Sequence, residues 1–194
     1  MTDEIKQAIP PAYRGIAVAT EKAGFTMASD PLTGSLLRTL AASKPQGGFL
    51  ELGTGTGLST SWILSGMDQK SSLISVDNNE AFLGIAADFL DHDPRLQLVC
   101  ADGEEWLLAN SSLRFDYIFA DTWHGKYLML EDVLAMLKPG GLYIIDDMLP
   151  QPNWPEGHHA KALRLVEELE KNESLLLTKQ TWSTGIVVAT RKAG

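Results

Sequence analysis

The chain of 194 residues holds a single cysteine, so Cys100 has no internal partner and a disulfide framework is excluded. Its place after the apolar stretch Leu96-Gln97-Leu98-Val99 marks it as a half-buried strand residue rather than a nucleophile. Long apolar runs are also missing. The longest, such as Gly141-Leu142-Tyr143-Ile144-Ile145, fall far short of the roughly 20 residues needed to cross a bilayer, which argues against a membrane span. Met1-Thr2-Asp3-Glu4-Ile5-Lys6 lacks an apolar core and a small-residue cleavage site, so the sequence reads as cytoplasmic. Basic charge is scarce: 16 Lys and Arg face 25 Asp and Glu, a net of -9, and the cations are dispersed. Such a chain repels a phosphate backbone, so nucleic acid is a poor partner and a small molecule the better one. A homodimer is left open. Internal repeats and low-complexity tracts are absent.

What is present is the composition of one globular domain, 44% hydrophobic, over residues 1–194. Residues 1–45 read as helical, with Pro10-Pro11 as an early break and Ser29-Asp30-Pro31 as a cap leading into Leu32 to Ala42. From 46 to 194 short aliphatic runs alternate with helical spacing, the pattern of a parallel α/β sheet. Strands are expected at 48–52, 72–77, 96–100, 115–120 and 142–146. Helices fit at about 57–66, 79–91, 103–110, 125–137 and 158–171. In the last of these, Leu163, Val166 and Leu169 are expected to share one face. The closing runs 175–179 and 185–190 are joined too tightly for a crossover helix and predict an antiparallel hairpin.

The first strand runs into Glu51-Leu52-Gly53-Thr54-Gly55-Thr56-Gly57. Glycines there permit positive φ and let a ligand lie against the backbone. The register is not the Gly-x-Gly-x-x-Gly that seats a pyrophosphate on a helix N-terminus. Asp77 closes the second strand, where a carboxylate can accept from both hydroxyls of a ribose. Asp102 follows the third strand and can approach an adenine amino group. Either aspartate could instead cap a helix.

The combination of the glycine turn, Asp77, Asp102 and the terminal hairpin resembles the class I S-adenosylmethionine-dependent methyltransferases. That resemblance implies a Rossmann-like seven-stranded sheet in the order 3-2-1-4-5-7-6, with strand 7 antiparallel and helices on both faces. It also implies a cofactor, S-adenosylmethionine, over the carboxyl ends of strands 1 and 2. Glu51 would then contact the cofactor's amino acid end, and Gly53 and Gly55 would pack against it. Together with Met27, Thr54, Ser59, Asp77, Asn78, Asp102, Gly103 and Asp121 they form the expected cofactor-binding set, with residues 1–45 as its helical cover.

Three more carboxylates, Asp121 at the tip of the fourth strand and Asp146-Asp147 at the tip of the fifth, meet on the same rim of such a sheet. Like charges that close must bind protons or a cation, and a hard divalent ion such as Mg²⁺ takes oxygen ligands. The alternative is that Asp121 caps a helix and the pair solvates a strand end. Here the chain resembles the cation-dependent O-methyltransferases of the catechol and caffeoyl-coenzyme A type. Asp121, Asp146 and Asp147 match their metal ligands, Tyr127 matches an aromatic six residues after the first ligand, and Gly24 to Ser29 matches their cofactor-covering segment. Two positions depart: Asp147 stands where that group has Asn, and His124 where it has a catalytic lysine, with Lys126 two residues later.

The expected reaction is O-methylation of a small, catechol-like hydroxyl compound chelated by the ion, with His124 or Lys126 as the catalytic group. A metal-independent methyltransferase, a nicotinamide-dependent oxidoreductase and a non-catalytic binding module remain as alternatives. The Leu149 to His159 loop, with Trp154, His158 and His159, could form a substrate wall.

Overall fold

The computed structural model describes residues 4–5, 9–152 and 154–193. Of the stretch Met1–Lys6 only Glu4 and Ile5 fall within them, so the reading of that N-terminus lies mostly outside the described residues. The elements are α1 (Tyr13–Lys22), α2 (Pro31–Ala42), β1 (Gly48–Leu52), α3 (Leu58–Gly66), β2 (Ser72–Asp77), α4 (Glu80–Leu90) and β3 (Leu96–Cys100). There follow α5 (Gly103–Ala109), β4 (Phe115–Ala120), α6 (Leu130–Ala135), β5 (Leu137–Ile145), α7 (His158–Lys171), β6 (Leu175–Gln180) and β7 (Ile186–Arg191).

One seven-stranded sheet runs β3-β2-β1-β4-β5-β7-β6, the order that the resemblance implies. β1 to β5 pair in parallel, and β7 lies antiparallel between β5 and β6. Successive side chains point to opposite faces of a strand, so each central strand feeds two cores. Leu50 and Leu52 of β1, Tyr143 and Ile145 of β5, and Ile118 of β4 pack with Trp106, Val133 and Leu165 from α5, α6 and α7. Phe49, Tyr117, Phe119 and Ile144 pack on the other face with Ile16, Leu37 and Ile63 from α1, α2 and α3. A parallel sheet covered on both sides favours strands that are nearly continuously apolar, as in β4, Phe-Asp-Tyr-Ile-Phe-Ala, where the partly exposed Asp116 pairs with Lys138.

Three local expectations are corrected. Residues 125–129 are not helical: Gly125 (φ 88°) and Met129 (φ 56°) adopt left-handed backbone, and α6 starts only at Leu130. On α7 the buried stripe is Ala162, Leu165 and Leu169, while Leu163 is 51% exposed, so the apolar face is turned by about one residue. Cys100 is exposed because β3 is an edge strand whose far end is left uncovered.

The helical start is anchored by Asp30, whose carboxylate accepts from the Leu32 and Thr33 amides at 2.6 and 2.9 Å, capping α2. The chain order reverses between β1 and β4, which opens a crevice beyond their carboxyl ends. Among the described residues no helix is long and apolar enough to cross a membrane.

Candidate active site

The crevice is a cavity of about 420 Å³ at the carboxyl ends of β1, β2, β4 and β5. Its floor is the glycine turn. Gly53, Gly55 and Gly57 have φ of 100°, 51° and 93°, values that side chains rarely allow. At Gly53 a Cβ would also lie 2.7 Å from the Asp121 carbonyl oxygen. The turn is tied to β2: Asp77 accepts from the Gly55 amide at 2.8 Å and from the Asn79 amide at 2.9 Å.

Of the expected cofactor-binding residues, Met27, Gly53, Thr54, Gly55, Ser59 and Asp77 line this cavity. Asn78 and Asp121 do so as well. Met27 is 64% exposed and sits on the segment that crosses the turn, where Phe25 stacks on Phe82 at 4.7 Å. The family residue Glu51 is elsewhere. It is fully buried and accepts from Ser59 and Thr60 hydroxyls at 2.6 Å and from Ser75 at 2.5 Å, joining β1 to α3 and β2. Burial pushes its carboxyl up to about 7 despite those three donors. These bonds make Glu51 a brace between the elements, and its partner Ser59 lines the cavity.

Asp102 is the N-cap of α5, accepting from the Glu104 and Glu105 amides at 2.9 and 3.3 Å, which is the capping alternative. Gly103 lines a smaller neighbouring recess with Asp77, Ala101 and His124. The His124 ring packs so closely over Gly103 that a Cβ there would lie 2.7 Å from it. His124 therefore lines the smaller recess and not the larger cavity.

At the other end of the cavity lies Lys126. The non-helical turn at Gly125 directs its side chain inward, where it is 5% exposed. Its Nζ donates to Asp121 Oδ1 at 3.1 Å and to the Asp146 backbone carbonyl at 2.7 Å. Burial works against its charge, yet Asp121, Asp147 and Asp146 outweigh it and raise its pKa above the usual lysine value.

Burial and the nearby Asp121 carboxylate raise the pKa of Asp146 and Asp147, yet the three aspartates do not form a metal cluster. Asp121 Oδ2 accepts from Ser29 at 3.1 Å. Asp146 is 1% exposed, and its carboxylate accepts from the Thr184 hydroxyl and from the Asp147 amide at 2.8 Å. Asp147 sits at φ 56° and faces the cavity, with burial and Asp121 pushing it up to about 6. Among the described residues no group of three His, Cys, Asp or Glu side chains is arranged to hold a metal. As placed, the residues do not fit a divalent ion, because an ammonium lies between the strand tips that would ligate it.

The far wall is aromatic. His158 lies 5.2 Å from Tyr127, 5.7 Å from Trp123 and 4.4 Å from Trp154, ring centre to ring centre. Its Nε2 is 3.2 Å from the Tyr127 hydroxyl, and its Nδ1 is buried with no partner among the described residues. Burial, Lys126 and Lys161 lower its pKa below that of an ordinary histidine. No sequence motif singles out this wall. The aromatic and histidine enrichment of two loops bordering one strand rim was its only signal.

The sheet order, the glycine turn at the tip of β1 and the carboxylate at the tip of β2 define the class I S-adenosylmethionine-dependent methyltransferase fold. The chain belongs to the methyltransferase-domain family, whose profile matches residues 50–148. It is 30% identical over 121 residues to a Mycobacterium avium (strain 104) protein provisionally named an O-methyltransferase, a match covering 59% of this chain and 54% of that one. The chain spans about half the length of the curated relatives it matches, 54% for the first three. Its fold is similar to that of the Bacillus cereus O-methyltransferase in complex with SAH: TM-score 0.84, 18% identity, 97% and 94% of the two chains covered. A Streptomyces achromogenes O-methyltransferase involved in tomaymycin synthesis, in complex with SAM, aligns with TM-score 0.80, 21% identity and coverage of 97% and 92%.

Proposed function

We infer that the chain is an S-adenosylmethionine-dependent O-methyltransferase acting on a small phenol or catechol. The observation that carries this reading is one continuous cavity that joins the glycine turn and Asp77 to the wall of Trp123, Tyr127, Trp154 and His158. The turn suits the cofactor because its backbone can be approached closely, and Asp77 is placed to accept from ribose hydroxyls once it exchanges the Gly55 amide. Aromatic rings at the other end suit a planar acceptor. The net charge of -9 supports a small-molecule acceptor and no nucleic acid, and a cytoplasmic location is part of the same reading.

A cofactor held by Gly53, Gly55 and Asp77 would supply an electrophilic methyl to the acceptor oxygen and keep the C–S electron pair on its sulfur. The protein fixes the line of attack and excludes water. His158, held neutral by burial and by Lys126 and Lys161, receives the acceptor's hydroxyl proton directly or through Tyr127. No step is assigned to a divalent ion.

Calorimetry with S-adenosylmethionine, SAH and NAD, followed by SAH release over a panel of phenols, tests the reading. We expect binding of the first two ligands and turnover with at least one phenol. Heat with NAD alone would overturn it.

A further inference from the structure

We propose that Lys126 is the resident cation of this site: its ammonium, fixed between Asp121 and Asp146, holds the acceptor oxygen, so the substrates include one-hydroxyl phenols and no divalent metal is needed. The inference rests on the O-methyltransferase reading and names the substrate class of that site.

Three observations carry it. First, the ammonium lies between the tips of β4 and β5, 3.1 Å from Asp121 Oδ1 and 2.7 Å from the Asp146 carbonyl, so a second cation could enter only by displacing it. Secondly, both Asp121 oxygens and Asp146 Oδ1, three of the six carboxylate oxygens that a metal would use, are otherwise engaged. The Asp146 carboxylate is turned to Thr184 and the Asp147 amide, and the second Asp121 oxygen accepts from Ser29. Thirdly, an ammonium has three donors, and two are used here; among the described residues no further acceptor takes the third, and Lys126 lines the cavity between Asp121 and the aromatic wall.

A chelated metal demands two adjacent oxygens from its substrate, whereas a single N–H demands one. In the step itself the acceptor's O–H proton passes to His158, the oxygen accepts from Lys126 as charge develops, and the oxygen takes the methyl as the sulfonium becomes a thioether. Lys126 stays protonated throughout.

The test uses the full chain. Mn²⁺ binding is followed by electron paramagnetic resonance, and SAH release is measured with catechol and a one-hydroxyl phenol, with and without EDTA. We expect no Mn²⁺ binding up to about 1 mM, turnover unchanged within about twofold by EDTA, and kcat/KM for the two acceptors within about tenfold. Lys126→Met should lower kcat by about a hundredfold or more, the usual effect of losing one donor to a developing oxyanion. Its affinity for S-adenosylmethionine, measured calorimetrically, should stay within about threefold, because no cofactor-facing residue is altered.

Micromolar Mn²⁺ binding by the wild-type chain, or loss of turnover with EDTA, overturns the inference even if Lys126→Met does not fold. An unchanged kcat in a folded Lys126→Met variant also overturns it. Failure of the wild-type chain to bind S-adenosylmethionine removes the methyltransferase reading itself, and the inference with it. Binding of the cofactor together with Mn²⁺ leaves that reading standing and removes only the inference.

Discussion

At the β1–β2 end of the cavity the ligand-facing surface is mostly backbone, held by three positive-φ glycines and by a carboxylate bonded to a main-chain amide. At the β4–β5 end it is mostly side chain: a buried ammonium, hydroxyl-bonded aspartates and four rings in edge-on or tilted contact from two segments far apart in sequence. The first end is constrained because its glycines adopt positive φ, which side chains rarely allow. The second is set by electrostatics and packing, so single side chains there can be exchanged without changing the chain's path. A cofactor common to many enzymes suits the first kind of construction, and an acceptor that differs between enzymes suits the second.

Gly53→Ala should break the backbone end most severely. The new Cβ would lie 2.7 Å from the Asp121 carbonyl at φ 100°, so we expect a loss of stability of about 2–4 kcal/mol. Calorimetric affinity for S-adenosylmethionine should fall at least tenfold, by about 1.4 kcal/mol or more. A variant with unchanged melting temperature and affinity would show that the turn is not so constrained.

His158→Phe tests the side-chain end alone. It keeps the aromatic wall and removes the base, so kcat should drop by roughly a hundredfold with the cofactor's Kd within about twofold. The wild-type rate should rise with pH through a pKa below the ordinary histidine value and then level, because only the neutral ring accepts a proton. In the variant that limb should vanish; its persistence would assign the base to another group.

The same contrast explains what could be read in the sequence. Gly53, Gly55 and Asp77 were legible because backbone conformation leaves its mark on residue type at fixed spacing, and the sheet order followed from the family resemblance that those residues carry. Lys126 was visible only as a lysine out of register. That it turns inward depends on Gly125 and Met129 halting a helix that periodicity alone predicts, and on which aspartate pays for its burial. His158 was legible only as part of a loop that could form a substrate wall; its contacts with Tyr127 and Trp154, 31 and 4 residues away, arise in the fold. Glu51 was recognised as part of a motif, but its three hydroxyl partners come from α3 and β2 and only the folded sheet brings them to its carboxylate.

Glu51 gives a smaller effect with a definite sign. Its folded pKa of about 7 exceeds the ordinary 4.5, so between those values the folded state holds more protons than the unfolded one. Stability from this group is therefore complete below about pH 4.5 and declines as pH rises towards 7. Glu51→Gln removes that dependence but forfeits a hydrogen bond. The difference between variant and wild type should shift in the variant's favour by about 2 kcal/mol from pH 5 to pH 8, read from urea unfolding at each pH. A difference independent of pH would mean that the carboxylate ionises normally.

Asp102→Ala probes the boundary of the backbone end and should have the smallest effect. The Asp102 carboxylate accepts from two amides of the first turn of α5, and it lines neither cavity, whereas its neighbour Gly103 lines the smaller one. Loss of an N-cap costs about 1 kcal/mol, so the melting temperature should fall by a few degrees while affinity for S-adenosylmethionine stays within about twofold. If affinity instead falls tenfold with little change in stability, the carboxylate contacts the adenine. The cofactor end would then depend on side chains for part of its recognition, and the division between a backbone end and a side-chain end would be drawn in the wrong place.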